Sequence, residues 1–367
     1  MRALWFALAL LLAACASRPS IAPHPELAPA ASTRMVFYAT TRAPGEPDEL
    51  YGNRRSSRIR YGQIEVSVPP DRKPGEILTA SAGRRPDPSR DFFALDSRDF
   101  AGADDLRRSL AAELSRRHGR AKEVAVYVHG FNNTFPEAVF RLGQLGNDVN
   151  GPAVSFLYSW PSRGSPLGYV YDRDSVLFAR DGLEETLGLV VAAGADRIIL
   201  VGHSLGTELL METLRQMAIG GNRKVVSRIG GVILISPDID TQLFRRQAKR
   251  IGKLPQPFLI FTSGRDKALA LSAALSGRSD RLGNIQDLDK LAELDVTVID
   301  VTAYSEGEGH FTVGNSPTVL SILAGLRQAM PGLMDGPASR SWGLPGLMRT
   351  FQSTTQYILR RPAQHGG

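Results

Sequence analysis

The sequence predicts an α/β fold in which a mostly parallel sheet carries helices on both faces. From residue 104 onward, short apolar runs rich in β-branched residues alternate with amphipathic helical stretches, which is the pattern of parallel strands joined by crossover helices. Before that point, residues 35–95 show strand patterns without helices between them. We expect these to join the same sheet as added antiparallel strands. An apolar content of 43% is enough to bury a substantial core.

The individual segments follow from apolar periodicity and from turn residues. The predicted strands are residues 35–41, 64–68, 77–81, 92–95, 124–128, 154–158, 197–201, 232–235, 258–261 and 296–299. The predicted helices are residues 106–114, 135–145, 174–193, 205–217 and 241–251. The loops between the early strands are expected to hold the basic residues Arg54, Arg55, Arg58, Arg60, Arg84 and Arg85.

Residues 1–15 have the pattern of an export signal. Arg2 supplies a positive charge, and residues 3–14 form an apolar run that is too short for an ordinary transmembrane helix. The run ends in LAAC, which resembles the bacterial lipobox. The resemblance implies that Cys15, the only cysteine, is lipidated and becomes the mature N-terminus, and its acyl chains would hold the protein on a membrane. An ordinary signal peptide with an incidental cysteine is the alternative.

We therefore expect an exported bacterial lipoprotein of the cell envelope, on the outer membrane if the host is Gram-negative. Residues 16–33, rich in Pro and Ala, are expected to form a tether. The folded domain is expected over residues 34–330, followed by a tail over 331–367 that forms an amphipathic surface helix or stays loosely ordered.

The charge balance and the missing motifs limit the possible partners. Lys and Arg exceed Asp and Glu by seven, which suits contact with an anionic surface but equally describes a solvated exterior. No zinc-type Cys/His spacing, P-loop or dinucleotide fingerprint occurs in the sequence. We expect no cofactor, no metal and no nucleic-acid partner.

The strongest motif is GHSLG at residues 202–206, between a predicted strand and a predicted helix. In this context G-x-S-x-G forms a nucleophile elbow, a sharp turn that raises the central serine above the carboxyl edge of the sheet. Ser204 is therefore the candidate nucleophile. The Leu205 N–H begins the helix and is a candidate oxyanion donor. A chance Gly/Ser turn is the alternative.

The strand at 124–128 runs into HGFNN at residues 129–133. An HG turn at this place supplies the second oxyanion donor of α/β-hydrolases, which here would be the N–H of Phe131. We interpret His129 as a structural histidine that holds this loop, because it precedes the turn and points away from the nucleophile. A catalytic base at His129 is the alternative.

The ends of the last two predicted strands complete a catalytic set. The chain order Ser204, Asp266, His310 is that of the α/β-hydrolase triad. His310 would accept the serine proton and return it to the leaving group, while a buried carboxylate holds the imidazole in the right tautomer. Asp238 and Asp240, one strand earlier, are competing acids. Asp240 is also well placed to cap the helix that follows it.

Together these motifs resemble a bacterial family of α/β-hydrolases of undefined function that are esterase- or lipase-like. The resemblance rests on FYATTR at 37–42, HGFNN at 129–133, FLYSWPS at 156–162, GHSLG at 202–206 and SPDID at 236–240. It implies the α/β-hydrolase fold and serine-dependent hydrolysis, and it leaves the substrate open.

Three aromatic residues, Trp160, Tyr169 and Tyr171, belong to an expected loop over residues 159–173. They are candidate substrate-lining residues, with core packing as the alternative. The helix after Asp240 carries a basic face, which is either solvated or rests on anionic headgroups. Its cations are Arg245, Arg246, Lys249, Arg250 and Lys253.

The predicted function is a membrane-anchored serine hydrolase that cleaves carboxylic esters, with a small-molecule ester and the membrane as its partners. The same triad would support a peptidase, amidase or thioesterase, and a non-catalytic envelope scaffold on this fold is the alternative from another class. The connections 236–257 and 266–296 are too short for a large lid. We therefore expect an open cleft that prefers short or medium acyl chains.

Overall fold

The computed structural model describes residues 18–28, 32–80, 83–117, 122–149, 151, 153–275, 277, 280–305, 309–333, 346–351 and 354–359. Its strands are β1 (Ser32–Pro44), β2 (Tyr51–Val68), β3 (Phe93–Phe100), β4 (Glu123–Val128), β5 (Val154–Ser159), β6 (Arg197–His203), β7 (Ile229–Ile235), β8 (Phe258–Thr262), β9 (Thr297–Asp300), β10 (Gly346–Phe351) and β11 (Thr354–Leu359). The α-helices are α1 (Ala103–Ser115), α2 (Phe135–Asp148), α3 (Tyr169–Ala192), α4 (Leu205–Gly220), α5 (Arg223–Val226), α6 (Thr241–Ile251), α7 (Lys267–Leu275), α8 (Thr312–Asn315) and α9 (Pro317–Leu333).

All eleven strands belong to one sheet, in the order β10-β11-β9-β8-β7-β6-β4-β5-β1-β2-β3. The strands from β1 through β5, β4, β6, β7 and β8 to β9 pair in parallel. Antiparallel pairing occurs at the two edges, in β1-β2-β3 and in the β10-β11 hairpin. The mostly parallel sheet with added antiparallel N-terminal strands is therefore confirmed.

Helices cover both faces of the sheet, as predicted. On one face, apolar residues of α1, α3, α4 and α6 pack against the strands in a single large cluster. On the other face, α2 packs over β1, β2 and β5 while α9 packs over β7, β8 and β9. Burial of continuous apolar strands from both sides leaves the strand ends as the accessible part of the sheet.

The N-terminal strands differ in extent from the prediction. β2 runs from Tyr51 to Val68 and so contains the four arginines expected in a loop, because β1 continues to Pro44 and keeps pairing with it after two register shifts. The outer half of this hairpin is exposed, so its polar strand residues do not show an apolar pattern. Residues 77–80 form no strand, and Thr79 makes a single bridge to Phe92. Residue 81, the last of this predicted strand, lies outside the described residues.

Part of the segment expected as a tether packs on the domain. The Ile21 N–H donates to the Asp48 carbonyl at 2.8 Å, and the His24 N–H donates to the Ala94 carbonyl at 2.9 Å. The Ile21 side chain is buried in the core cluster beneath α2. The buried Ile21 side chain and these backbone hydrogen bonds together hold this part of the segment against the domain.

Two further boundaries differ. The helix predicted from residue 174 begins at Tyr169, so Tyr169 and Tyr171 lie in its first turn and not in a loop. Apolar periodicity missed this turn because one of its buried positions is Asp172, which accepts hydrogen bonds from Ser162 Oγ and the Arg163 N–H, both at 2.6 Å. The tail, expected as a helix or as loosely ordered chain, contributes β10 and β11, and β11 extends the sheet beside β9.

Within the described part of the chain, no helix has both the length and the apolar character that crossing a membrane requires.

Candidate active site

Ser204 occupies the sharp turn between β6 and α4. Its backbone has φ 52° and ψ −125°, a conformation that is rare for a non-glycine residue and costs about 1–3 kcal/mol. The turn is held by neighbouring backbone, since the Ser204 N–H donates to the Ile235 carbonyl and the Thr207 N–H donates to the Ser204 carbonyl, each at 3.0 Å. This strained strand–turn–helix is the geometry of a nucleophile elbow.

The HGFNN loop lies directly against this elbow, and two glycines permit the contact. A Cβ atom at Gly206 would lie 2.4 Å from the His129 carbonyl oxygen, and one at Gly130 would lie 2.8 Å from Ser204 Cβ. Neither distance is tolerable, so the backbones can approach this closely only at glycine. The two segments that carry the predicted oxyanion donors, Phe131 and Leu205, are therefore in contact.

The ends of both segments suit anion binding. The Leu205 N–H lies in the first turn of α4, where backbone donors have no acceptor within the helix. The HGFNN loop leads into α2, whose start is fixed by a capping box between Thr134 and Glu137. The cap holds the chain just after Phe131 and so limits the movement of that donor.

His310 and Asp266 form a close pair. His310 Nδ1 lies 2.8 Å from Oδ2 and 3.0 Å from Oδ1 of Asp266. The Asp266 side chain is fully buried, while that of His310 is 20% exposed. Asp266 Oδ1 also accepts the Leu269 N–H at 2.9 Å, which fixes the carboxylate. Because Nδ1 faces the carboxylate, Nε2 is the nitrogen left to exchange a proton.

The competing acids are engaged elsewhere. Asp240 Oδ1 accepts the Leu243 N–H at 2.9 Å and caps α6, which its place in the sequence predicted. Asp238 lies 3.3 Å from Nε of Arg281, and both side chains are buried. Among the hydrogen bonds of the described residues, His310 pairs with Asp266 and with neither of these acids.

A second histidine lies beside the His310–Asp266 pair. The ring centroids of His203 and His310 are 4.8 Å apart, and His203 directly precedes Ser204. Burial, with a smaller effect from His310, lowers the pKa of His203 well below its usual value. His203 is therefore neutral and adds no positive charge that would oppose an imidazolium at His310.

Ser204 and His310 lie at the same edge of the sheet without a direct hydrogen bond. The hydrogen bonds among the described residues include none between Ser204 Oγ and His310. In unliganded enzymes this contact is often long and tightens when substrate binds.

Arg42 is the centre of a buried polar cluster beneath the site. Its guanidinium donates to Ser159 Oγ at 2.9 Å and to the Asn133 carbonyl at 2.8 Å. Burial lowers the pKa of Arg42 to about 10, so the group stays charged at neutral pH. Because Asn133 ends the HGFNN loop, Arg42 ties that loop to β1 and β5.

His129 holds the same loop, as the sequence predicted. Its Nδ1–H donates to the Gly130 carbonyl at 2.9 Å, and its Nε2 accepts from Ser159 Oγ at 3.1 Å. Burial, together with the charge of Arg42, lowers the pKa of His129 to about 3. Trp160 stacks on this ring and donates to the His129 carbonyl at 2.7 Å. Trp160 is fully buried. It therefore packs in the core, which was the alternative to lining the substrate site.

Tyr171 contacts the N-terminal strand β2. The Arg55 guanidinium stands 4.4 Å from the centre of its ring, and its hydroxyl donates to the Asn53 carbonyl at 3.1 Å. These contacts fasten β2 to α3, so Tyr171 is a packing residue of the N-terminal strands.

Tyr169 crosses the edge of the sheet formed by the carboxyl ends of the parallel strands. Its ring meets that of Phe131 edge to face at 5.4 Å, and its hydroxyl lies 2.9 Å from Asp238 and 2.6 Å from Ser272. Phe131 follows β4 and Asp238 follows β7, and β6 lies between these two strands in the sheet. Tyr169 therefore spans the edge on which Ser204 stands.

Sequence reasoning missed Arg42 as the residue that holds the HGFNN loop and Arg281 as the partner of Asp238. The role of Arg42 could have been found from the sequence, because Arg42 is a lone charge at the end of an apolar strand pattern. Nothing in the sequence indicates the role of Arg281, because its partner Asp238 lies far away in the chain and the two residues meet only in the folded protein.

Residues 103–327, more than half of the chain, match the family described as alpha/beta hydrolase of unknown function (DUF900). The chain belongs to this family. No curated protein matches this α/β-hydrolase in sequence.

Solved structures with similarity to this α/β-hydrolase include several esterases. A hyperthermophilic esterase from the archaeon Pyrobaculum calidifontis is 14% identical, with 64% of this chain and 95% of that chain covered and a TM-score of 0.33. Esterase B from Lactobacillus rhamnosis is 10% identical, with 91% and 94% covered and a TM-score of 0.38. A fungal esterase from Rhizomucor miehei is 12% identical, with 84% and 87% covered and a TM-score of 0.36.

Proposed function

We propose that this α/β-hydrolase is a serine hydrolase that cleaves carboxylic esters. The observation that carries the proposal is the buried Asp266 carboxylate paired with His310 Nδ1, at the same sheet edge as a serine in a strained elbow. A strained serine or a buried Asp–His pair alone has structural explanations. Their combination, with the HGFNN loop packed on the elbow, supports a nucleophile with a base and an oxyanion site.

In the proposed reaction, Ser204 Oγ attacks the ester carbonyl while His310 Nε2 accepts its proton. Asp266 stabilises the imidazolium, and the N–H groups of Leu205 and Phe131 donate to the oxyanion. His310 then protonates the leaving alcohol, which departs and leaves an acyl group on Ser204. Water, deprotonated by His310, releases the acid and restores the serine.

Labelling with a fluorophosphonate tests the nucleophile. Wild-type protein should be labelled and should hydrolyse p-nitrophenyl esters, and Ser204→Ala should lose both by several orders of magnitude. Ser236→Ala is the matched control, because Ser236 is a buried serine with positive φ at the end of the adjacent strand β7. Full labelling of Ser204→Ala would remove the assignment, and an unlabelled wild type would favour a non-catalytic scaffold.

The same three side chains would also support the cleavage of amides and thioesters. The substrate panel must therefore contain esters, amides and thioesters. We expect kcat/KM to be highest for the ester. A higher value for a peptide amide with the same acyl group would reassign the protein as a peptidase or amidase.

We further propose that Cys15 carries the lipid anchor and that the hydrolase works at a membrane of the bacterial envelope. The support is the lipobox-like sequence and the fact that Cys15 is the only cysteine in the chain. Metabolic labelling with an alkyne fatty acid should mark the wild type and leave Cys15→Ser unmarked.

A further inference from the structure

The three most exposed large apolar side chains of the described residues lie together. Leu167 is 96% exposed, Val170 78% and Leu271 62%. Leu167 and Val170 flank Tyr169 at the start of α3, and Leu271 precedes Ser272, whose hydroxyl lies 2.6 Å from that of Tyr169. All three residues therefore lie near Tyr169 in the fold. A group of exposed apolar side chains is typical of a surface that contacts a membrane or another protein.

Exposed cations accompany this group. Arg163 is exposed on the segment that leads to Leu167, and Arg265 and Lys267 are exposed on either side of Asp266. Apolar tips accompanied by Lys and Arg are characteristic of surfaces that insert shallowly between anionic headgroups.

The amino-terminal segment is fastened to the same loop. The Arg18 guanidinium donates to the Gly164 carbonyl at 2.7 Å and to Asn132 Oδ1 at 3.1 Å. Cys15 and the predicted export signal lie outside the described residues. Cys15 precedes Arg18 by three positions in the sequence, so the length of the chain keeps their Cα atoms within about 11 Å of each other. A lipid on Cys15 would therefore enter the bilayer close to the loop that presents Leu167.

We propose that Leu167, Val170 and Leu271 form a membrane-facing rim, which rests on the bilayer to which Cys15 anchors the chain. What this contact implies about the substrate rests on the proposed function. The active site at this edge would take esters that lie at headgroup level, so the substrate class is a membrane amphiphile. An open cleft suffices, because the remainder of a long acyl chain stays in the bilayer.

The basic face of α6 is the competing membrane surface. Arg245 and Lys249 on this face both pair with Glu293, at 2.6 and 3.0 Å, which reduces the net charge that the face offers to headgroups. None of the large exposed apolar side chains of the described residues belongs to α6. The anchor, the apolar tips and the active site instead coincide at the membrane-facing rim.

Depth-dependent fluorescence quenching tests this contact in the full-length lipidated protein. Because Cys15 is the only cysteine and its sulfur is blocked by the lipid, Leu167→Cys supplies one reactive thiol for an environment-sensitive dye. The matched control is Ile219→Cys, which is 49% exposed and lies about 20 Å farther along α4 from the elbow. The vesicles contain phosphatidylethanolamine, phosphatidylglycerol and a shallow doxyl lipid.

We expect the doxyl lipid to reduce the emission of the dye at residue 167, relative to the same vesicles without doxyl lipid, because this residue would lie at a shallow interfacial depth. The dye at residue 219 should keep its emission. An equal loss of emission at the two sites would overturn the proposal. Disulfide crosslinking of Leu167→Cys to a second copy, without lipid quenching, would also overturn it and would assign the surface to a dimer.

Activity measurements test the substrate class separately. The double variant Leu167→Ser/Val170→Ser should lower turnover of an ester embedded in the vesicles several-fold and leave turnover of a water-soluble ester unchanged. Ile219→Ser should change neither rate. Equal loss on both substrates would refute the membrane-facing rim as a substrate-delivery surface. If Ser204→Ala kept its activity, the hydrolase proposal would fail while the quenching result would still decide the membrane contact.

Discussion

Lowering the pH from 7 to 5 should destabilise the fold because His129 is buried in its neutral form. An unfolded histidine titrates near pH 6.5, whereas burial and then the charge of Arg42 lower the pKa of His129 to about 3 in the folded protein. Between these two values the unfolded state binds a proton that the native state does not. The free energy of unfolding therefore falls as the pH falls.

The size of the effect follows from the two pKa values. At pH 7 both states are mostly unprotonated at this residue, and at pH 5 almost every unfolded chain carries the proton. The loss attributable to His129 over this interval is about 2 kcal/mol. His203 is also buried with a lowered pKa and adds a loss of the same sign.

Urea unfolding followed by far-UV circular dichroism at pH 7 and pH 5 measures this loss. His129→Asn keeps a donor toward the Gly130 carbonyl but cannot titrate, so its loss should be smaller than that of the wild type by about 2 kcal/mol. Trp160→Phe removes the N–H bonded to the His129 carbonyl and leaves the imidazole in place. It should be less stable but keep the wild-type pH dependence. Equal pH dependence in wild type and His129→Asn would refute the reasoning.

Three further predictions concern chemistry and location. His310→Ala should lower kcat/KM nearly as much as Ser204→Ala, because the two groups act as a unit. Asp266→Asn should lower kcat/KM more than Asp240→Asn. If Asp240→Asn had the larger effect, the carboxylate of the triad would be assigned to the earlier strand. Cys15→Ser should shift the protein from the membrane to the soluble fraction or stall its processing, and unchanged membrane retention would point to another anchor. Turnover of p-nitrophenyl esters that are dissolved as monomers, without vesicles or micelles, should peak at short or medium acyl chains, since the short connections after β7 and β8 offer no wall to bury further methylenes. An optimum at long chains under these conditions would reveal a lid.

The sequence by itself determined the local features of this protein. The alternation of strands and helices, the elbow at Ser204 and the cap at Asp240 depend on residues within a few positions of one another. Apolar periodicity and turn chemistry report such short-range requirements directly. The same holds for the chain order of serine, aspartate and histidine, which needs only the assignment of strand ends.

Only the tertiary structure decided which distant groups meet. It paired His310 with Asp266 and gave Asp238 to Arg281, a choice that depends on side-chain positions across neighbouring strands. It also showed that Tyr169 crosses the carboxyl edge of the parallel strands and that Arg18 donates a hydrogen bond to the Gly164 carbonyl. These contacts join residues far apart in the chain, and each is a single polar or aromatic pair that leaves no periodic pattern. Their formation depends on the packing of the whole sheet, which local sequence does not report.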